Sequence, residues 1–523
     1  TCWRNLMRGS SLSLTFVLGV LLLGGTSFGA APATAPSTGF KAGFAERDIT
    51  PEVGMEQPGG YVKAFHRTFH DPCKVRASVF DDGKTRVAVV GIDALLIRRQ
   101  TVAPIRAAIH EKTGIAPEAI LIAASHDHSA GPIGMILPGE FDHASPLVQE
   151  LAYKKSSCAN AGYLARVQQA VMDAVVEADS KRTDCRCAVG KGREETVSFN
   201  RRLRMKNGLS FSHPGVGNPD IVGPAGPIDP DVVVLGAWDP KTGNLTGCVV
   251  NFACHATTGP GGISADYIYY LERAIRGVTG QQNANVVFVN GACGDITQVD
   301  NQSRSGSRQS GEAAALKVGG RVGAEAARVL LSVSDSAGSL APVAYKDRIL
   351  SIKRRAPSPE HLARAMEIVS HKQPPAGTAF VEWTFAKETV LLDARIKEEP
   401  VAPVEVQAIQ VGPLVILANP AEYFCQYGLD IKAAGKFPFT MISELTNDNV
   451  GYVPTEEAFG PHGGGYETRL TSHSNLEITA GRQIADALID MASKFTPGPV
   501  PQPPPVKEAA KPWAYGSLPP QRD

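Results

Sequence analysis

Two histidines that are two residues apart, His126 and His128, carry the strongest chemical signal in the sequence. They follow the apolar run 119–124, which predicts a buried β-strand. Side chains two residues apart on a strand point to the same face, so both imidazoles should project together from the end of this strand. Two imidazoles directed at one point indicate a metal ion or an acid–base pair. Two unrelated surface histidines are the alternative.

Three other predicted strand ends also carry polar groups: His255 after 247–254, Asp295 after 286–289, and Glu422 after 414–417. Two or three histidines with one carboxylate are a common ligand set for catalytic zinc, which keeps one position open for water. A single histidine at a strand end is more often only hydrogen-bonded. Four such ends in one chain favour a shared site.

The turn 291–297 contains two glycines and follows a predicted buried strand. It could present Asp295 or Thr297 to the site, or it could be a structural turn in which Asp295 caps the next segment. The sequence pattern of this turn favours neither interpretation. Cys293 together with His255 could also suggest a thiol hydrolase, but no thiol-protease motif surrounds the cysteine. A buried thiol is the favoured interpretation.

From about residue 40, predicted strands and helices alternate along the chain. This alternation predicts an α/β fold with a mixed β-sheet core flanked by helices, in a single large domain. Such folds bind ligands beyond the carboxyl ends of their strands. Besides the strands above, one is expected at 87–92, and helices are expected at 101–112, 266–275, 311–331 and 476–495. The last helix should direct Ile478, Ile484, Leu488 and Met491 inward.

Composition limits the classes of partner. The chain has 523 residues, 43% of them hydrophobic, and Lys+Arg and Asp+Glu both number 52. Neither the net charge nor any Lys/Arg tract argues for nucleic acid. We expect a small-molecule or lipid substrate and no transmembrane span in the mature chain; transient contact with a membrane surface is possible.

The two ends of the chain differ from its middle. Residues 1–33 resemble a secretory signal peptide, because Arg4 and Arg8 precede the apolar stretch 12–23 and small residues follow it; a short uncleaved anchor is the alternative. Residues 34–40 are predicted to be a linker, 41–495 the catalytic domain, and 496–523 a Pro-rich, disordered tail. The protein would then be secreted or periplasmic, where its cysteines could form disulfides.

Several dispersed segments resemble, in the same order, motifs of the neutral (alkaline, non-lysosomal) ceramidase family. The resemblance extends from about residue 42 to about residue 495. Each motif is weak by itself, and their order makes the match fairly specific. The segments are 43–51, 125–132, 199–202, 251–257 with 264–266, 294–297, 420–422, 449–455 and 465–467.

The resemblance implies hydrolysis of an N-acyl amide, such as ceramide, by water activated on one zinc ion. The implied zinc ligands are His126, His255, Glu422 and Tyr452. The residues implied around the substrate carbonyl are His128, Arg201 and Tyr466, with Thr297 at the position of the family's essential serine.

The sequence also departs from the family pattern. Thr297 replaces the serine, 298–300 replace a Pro-Asn pair, and Asp127 and Ala130 alter the histidine motif. Two competing hypotheses therefore accompany the ceramidase-like one. The protein could be a non-catalytic binding protein on the same fold, or a zinc hydrolase of a different ester, peptide or glycan-linked substrate.

Overall fold

The computed structural model describes residues 39–306, 308–370, 376–506 and 511–523. The predicted signal peptide 1–33 and most of the predicted linker 34–40 lie outside these residues. The strands are β1 (Lys41–Asp48), β2 (Glu56–Gln57), β3 (Ala64–Phe65), β4 (Lys74–Asp81), β5 (Arg86–Ile92), β6 (Ile120–Ala124), β7 (Thr183–Asp184), β8 (Arg186–Arg193), β9 (Phe199–Asn200), β10 (Arg202–Met205), β11 (Ser210–Ser212), β12 (Ile221–Pro224), β13 (Asp231–Trp238), β14 (Leu245–Phe252), β15 (Asn285–Asn290), β16 (Ile296–Thr297), β17 (Val343–Lys353), β18 (Val401–Val411), β19 (Leu414–Ala418), β20 (Ala421–Tyr423), β21 (Phe439–Ser443) and β22 (Gly451–Val453). The helices are α1 (Arg99–Thr113), α2 (Pro146–Tyr153), α3 (Ala161–Ser180), α4 (Tyr267–Thr279), α5 (Glu312–Val333), α6 (Pro359–Ser370), α7 (Thr378–Glu398), α8 (Cys425–Ala434) and α9 (Ala480–Ser493).

Two sheets pack against each other at the centre of the fold. The first has the strand order β6-β5-β4-β1-β7, and the second has the order β15-β14-β13-β8. The pairs β5–β6 and β14–β15 are parallel. Gly91 in β5 faces the backbone of Phe288 in β15, where a Cβ would overlap the carbonyl oxygen. Glycine at this position therefore lets the two sheets approach closely.

A third sheet, ordered β17-β18-β19-β21, contains the parallel pair β19–β21 and contacts the second sheet through β21. Helix α3 covers the first sheet, α5 covers the second and packs against α4, and α9 packs on the third. The parallel strands are buried on both faces, which explains their continuous runs of Val, Ile and Leu. The predicted α/β class, with mixed sheets flanked by helices in one large domain, is confirmed.

The predicted elements are found with shifted ends. Helix α1 buries Val102, Ile105 and Ile109 on one face and ends at Gly114, whose φ of 73° is left-handed. The last helix begins at Ala480 rather than 476, so the prediction for Ile478 was wrong: it precedes the helix and is 41% exposed.

The first residues of the Pro-rich segment lie beside the third sheet. The carbonyl of Thr496 accepts a hydrogen bond of 2.7 Å from Gln410, and the N–H of Gly498 donates one of 3.0 Å to Gly412. Residues 496–506 contain no helix or strand. Within the described ranges, seven cysteines are free thiols: Cys73, Cys158, Cys187, Cys248, Cys254, Cys293 and Cys425. No helix in that part of the chain is long and apolar enough to cross a membrane.

Candidate metal-binding and active site

A single cavity of about 390 Å³ is lined by every residue that the sequence predicted for the site. It lies beyond the carboxyl ends of β6, β14 and β19, as expected for an α/β fold. Residues from distant parts of the chain thus meet around one space. They are His126, His128, Arg201, His255, Thr297, Glu422, Tyr452 and Tyr466.

His126 and His128 converge for a reason that differs from the predicted one. Strand β6 ends at Ala124, and His126 has a left-handed backbone with a φ of 60°. This conformation is uncommon outside glycine and is found at functional sites that the surroundings hold in place. The two rings lie 4.8 Å apart between centroids, with their Nε2 atoms at 3.4 Å. A left-handed turn, rather than strand alternation, brings them together.

His255 and Glu422 complete a cluster around His126. The ring of His255 lies 4.3 Å from that of His126 between centroids. One carboxylate oxygen of Glu422, Oε2, is 3.3 Å from Nε2 of His126 and 3.6 Å from Nε2 of His255. Both Nε2 of His255 and Oε2 of Glu422 are buried without a hydrogen-bond partner. Buried polar atoms nearly always have partners, so this pair fits a cation held between them.

Two ligand sets are compatible with these positions. The ligand atoms of His126, His128 and His255 all lie within 4.8 Å of one another. Glu422 could instead be the third ligand beside His126 and His255. The unpartnered atoms favour the set with Glu422, because a cation bound by three histidines alone would leave its Oε2 atom without a partner.

Tyr452 is placed next to Glu422 by a short parallel ladder. Strands β20 and β22 pair so that these two residues lie side by side in register. The hydroxyl of Tyr452 is 3.2 Å from that of Tyr466 and accepts a hydrogen bond of 3.2 Å from Nη2 of Arg201. Two of the three residues implied around the substrate carbonyl, Arg201 and Tyr466, therefore contact the fourth implied ligand.

The guanidinium group of Arg201 is held in one orientation. Its Nε atom donates to Glu467 at 2.9 Å and its Nη2 atom donates to the carbonyl of Gly294 at 2.7 Å. Arg201 and Glu467 are both almost fully buried. A buried, hydrogen-bonded arginine of this kind is a fixed positive charge on the cavity wall.

Asp295 and Thr297, the two candidate residues of the turn 291–297, lie in different surroundings. Thr297 lies in β16, lines the cavity, and its hydroxyl is 3.2 Å from Oε1 of Gln298. Asp295 accepts hydrogen bonds from the N–H of Cys425 at the start of α8 and from Asn200, at 2.8 and 2.7 Å. Asp295 therefore holds the start of α8 and Asn200 rather than capping the segment that follows it, and Thr297 is the residue presented to the cavity.

Cys293 lies behind the site, at 3.4 Å from Nδ1 of His255, and does not line the cavity. Burial and the carboxylate of Glu444 raise the pKa of its thiol well above the usual value. Nucleophilic cysteines have lowered pKa values and some access to solvent. These properties argue against the thiol-hydrolase alternative.

Burial and neighbouring charges set the protonation of the histidines. Burial opposes the charged form of His126, but the carboxylate of Glu422 outweighs it and raises the pKa of this ring. Burial lowers the pKa of His128 to about 3, with the neighbouring His126 acting in the same direction. Burial and the positive charge of Arg201 lower the pKa of His255 well below its usual value. The rings of His128 and His255 are therefore neutral near pH 7, which is the form that binds metal ions.

The cavity contains residues that sequence reasoning did not identify: Tyr61, His213 and His473, together with apolar neighbours such as Leu95, Leu96 and Met135. Tyr61 and His473 lie 5.9 Å apart between ring centroids. His213 has a left-handed φ of 49°, like His126. These three residues lie in loops without a spacing pattern that could have indicated a site.

Gly59 did offer a signal, because Gly-Gly pairs mark close backbone approaches. Its φ is 98°, and a Cβ at this position would overlap Nδ1 of His128. The loop between β2 and β3 therefore lies directly against the His128 ring. The side chain of Gln57 adds a hydrogen bond of 3.0 Å to the carbonyl of His128.

Comparison with known proteins supports the resemblance at the level of architecture. No protein-family model and no curated protein matches the sequence. The neutral ceramidase from Pseudomonas aeruginosa has a similar structure, with a TM-score of 0.64, 19% identity, and coverage of 88% of this chain and 76% of that chain. A structure described as ceramidase complexed with C2 matches with a TM-score of 0.63, 19% identity, and coverage of 88% and 77%. The chain therefore has the fold of neutral ceramidase.

Proposed function

We propose that this protein is an exported, zinc-dependent hydrolase of N-acyl amide bonds of the ceramidase type. The observation that carries the proposal is the buried, unpartnered pair formed by Nε2 of His255 and Oε2 of Glu422, 3.6 Å apart. The pair lines the same cavity as a fixed arginine and two tyrosines. The shared fold with neutral ceramidase supports the choice of reaction.

The proposed zinc ligands are His126, His255, Glu422 and Tyr452. Imidazole nitrogens and carboxylate oxygens suit zinc, and a catalytic zinc site keeps one position open. Burial and Glu422 raise the pKa of the Tyr452 hydroxyl, and the guanidinium group of Arg201 beside it acts in the opposite direction, towards an oxygen ligand carrying negative charge. A bound zinc ion would lower the pKa of its water to about 7 and would polarise a carbonyl oxygen.

Arg201 and Tyr466 are the proposed hydrogen-bond donors to the oxyanion that forms when water attacks the amide carbonyl. Both groups lie on the same wall as Tyr452, and Arg201 is already oriented by Glu467 and Gly294. Donors that are fixed before the reaction stabilise the transition state without reorganisation. Removing one typically costs about 3 kcal/mol of activation free energy.

His128 is the proposed proton carrier to the leaving amine. Its ring stands beside His126 and packs against Gly59 on the other side, while Gln57 holds its backbone carbonyl, so it can act without being a ligand. A neutral imidazole at this position can carry a proton from the attacking water to nitrogen, and its lowered pKa makes the imidazolium a strong acid toward the leaving amine. The hydroxyl of Thr297 would orient the water or the carbonyl.

The apolar part of the cavity would hold the acyl portion of the substrate. Leu95, Leu96, Met135 and Val299 line it. A volume of about 390 Å³ lies in the lower part of the usual range for small-molecule sites, roughly 300–1,000 Å³. The cavity would therefore enclose the reacting amide and its neighbouring groups, while a longer lipid chain would extend to the mouth and towards a membrane surface.

One observation favours a second candidate function, that of a binding protein without turnover. The hydroxyl of Thr297 is directed at Oε1 of Gln298 at 3.2 Å, so it is engaged within the protein. A substrate or water would have to compete for this hydroxyl. Brisk hydrolysis by the wild-type protein would exclude this candidate.

The test combines metal analysis with a substrate panel. The purified full chain is expected to contain about one zinc per molecule and to release fatty acid from N-acyl sphingosine or another N-acyl amide. Esters, peptides and glycan-linked acyl compounds in the same panel would identify a different substrate class. His126→Ala should lose both zinc and hydrolysis, whereas His361→Ala, at an exposed histidine on α6, should lose neither. Absence of both metal and hydrolysis in the wild type would reject the proposal.

A further inference from the structure

We propose that Cys293 and Glu444 form a hydrogen-bonded unit that positions two of the metal ligands, His255 and Glu422. Neither residue touches the cavity, so both would act through the ligands as positioning residues. The inference rests on the proposed function, because it concerns the affinity of that same site for zinc.

The first half of the unit fixes the ring of His255. Sγ of Cys293 is 3.4 Å from Nδ1 of His255 and 2.8 Å from Oε1 of Glu444. A thiol can donate one proton and accept another, so the S–H donates to the carboxylate while the ring N–H donates to sulfur. With the proton on Nδ1, the lone pair of Nε2 faces the cluster that contains Oε2 of Glu422.

The second half of the unit fixes the strand that carries Glu422. Oε2 of Glu444 accepts hydrogen bonds from the backbone N–H groups of Cys293 and Tyr423, both at 2.9 Å. Tyr423 follows Glu422 directly in β20. One buried carboxylate therefore joins the turn behind His255 to the strand that presents the second ligand.

Glu444 is itself anchored where two sheets meet. It follows β21, and its backbone N–H donates to the carbonyl of Asn290 at the end of β15, at 3.1 Å. The side chain of Asn290 donates to Sγ of Cys293 at 3.3 Å. Glu444, Cys293 and Asn290 have no solvent exposure, so these hydrogen bonds form in a setting without competing water.

The two histidine ligands thus differ in the hydrogen-bond partner of their Nδ1 atoms. Nδ1 of His126 lies 3.0 Å from the carbonyl of Leu95, the usual kind of partner for a histidine bound to a metal. His255 has a thiol in this place, with a carboxylate behind it. A neutral thiol accepts a hydrogen bond only weakly, and the adjacent carboxylate strengthens the arrangement by orienting the thiol proton away from the ring.

The alternative is that Cys293 only fills space in the core. Its removal would then lower the stability of the protein without a specific effect on metal affinity. The two explanations are separated by measuring the zinc dissociation constant, through competition with a chelator, and the unfolding of the metal-free protein on the same variants of the full chain.

Cys293→Ala and Glu444→Gln are expected to raise the zinc dissociation constant by about 10- to 100-fold, the effect typical of lost outer-shell partners. Glutamine has a single side-chain oxygen, so it cannot accept all three hydrogen bonds that the carboxylate accepts. Cys293→Ser keeps a donor and an acceptor and should restore most of the affinity, to within about tenfold of the wild type.

Matched controls change the same two kinds of side chain, a thiol and a carboxylate, at buried positions away from the site. Cys248→Ser changes a fully buried thiol in β14, and Glu405→Gln changes a buried carboxylate paired with Arg106. Both should keep the zinc dissociation constant within about twofold of the wild-type value while they change the free energy of unfolding of the metal-free protein. If Cys293→Ala does not fold, Cys293→Ser and Glu444→Gln still decide the question.

Zinc affinities of Cys293→Ala and Glu444→Gln that equal those of the controls would overturn this inference and leave the proposed function intact. A wild-type protein that binds no zinc would overturn both. A loss of affinity in Cys293→Ala that serine recovers, without a matching recovery of stability, would support the positioning role.

Discussion

Oε2 of Glu422 lies 3.3 Å from Nε2 of His126, although His126 follows β6 and Glu422 lies in β20, far along the chain. Nothing local to either residue requires this approach. The backbone of Leu445 joins the two segments: its carbonyl accepts a hydrogen bond from Ala124 at the end of β6, and its N–H donates to the carbonyl of Ala421 in β20, both at 3.2 Å. The relationship makes Glu422 the most informative position for testing the proposed metal site.

Glu422→Gln is expected to weaken zinc binding by more than the roughly 100-fold upper limit of outer-shell changes, because a neutral amide replaces a ligand. Zinc content and chelator competition would measure the effect. Glu312→Gln, at a side chain that is 68% exposed, is the matched control and should bind zinc like the wild type. Normal zinc affinity in Glu422→Gln would show that the third ligand is another residue, with His128 as the first to test.

Arg201→Lys should lower kcat/KM by about 100- to 1,000-fold, which corresponds to the loss of one fixed oxyanion donor. A lysine has no planar fork, so it cannot reproduce the contacts of the guanidinium with Glu467, Gly294 and Tyr452. Zinc content should stay unchanged. Arg204→Lys is a suitable control, since Arg204 is a half-buried neighbour paired with Glu457. Equal activity in the two variants would contradict a catalytic role for Arg201.

Gly59→Ala should lower kcat by about 10- to 100-fold with zinc retained, because the new Cβ would overlap the His128 ring and displace it. Gly60→Ala is a closely matched control in the same loop. Its Cβ would have no neighbour nearer than 3.5 Å, at the carbonyl of Val62. If Gly59→Ala hydrolyses substrate as fast as Gly60→Ala, either His128 is not the proton carrier or the reaction tolerates the displacement of its ring.

Apolar runs and helical spacing in the sequence predicted the central strands and the helices between them, and predicted strand ends pointed to His126, His128, His255 and Glu422. Arg201, Tyr452, Tyr466 and the choice of Thr297 came from the resemblance to the ceramidase family, because no strand-end pattern marks these residues. The left-handed conformation of His126 was not predictable, since it depends on contacts with a neighbouring strand end, such as that of Nδ1 with Leu95. Tyr61, His213 and His473 were missed because loop residues carry no periodic signal.

The stability of the protein should fall between about pH 4.5 and pH 2 in part through Glu140. Burial opposes ionisation of this carboxyl group, but Arg98 and Arg395 prevail and lower its pKa to about 2 from 4.5. A lowered pKa in the folded state stabilises the protein above the unfolded value, and this contribution is lost as pH falls through the folded value. The full shift corresponds to about 3 kcal/mol.

Urea unfolding of the metal-free protein at pH 7 and at pH 3 would test this expectation. Glu140→Gln should be less stable than the wild type at pH 7, and the difference should narrow at pH 3. Glu52→Gln, at an exposed glutamate, should follow the wild type at both values. A difference that is the same at both pH values would mean that packing, rather than charge, accounts for the role of Glu140.

Thr297 offers a test that separates catalysis from binding alone. Thr297→Val keeps the shape of the side chain and removes its hydroxyl, whereas Thr297→Ser keeps the hydroxyl and removes a methyl group. If the hydroxyl orients water or the carbonyl, the valine variant should lose about 10- to 100-fold in kcat, and the serine variant should retain or exceed wild-type activity. Fatty acid release from N-acyl amides would measure both, with zinc content as the control for an intact site. A serine variant that hydrolyses substrate while the wild type only binds it would favour the binding-protein function, since the methyl group and the contact with Gln298 would then hold the hydroxyl away from the reaction.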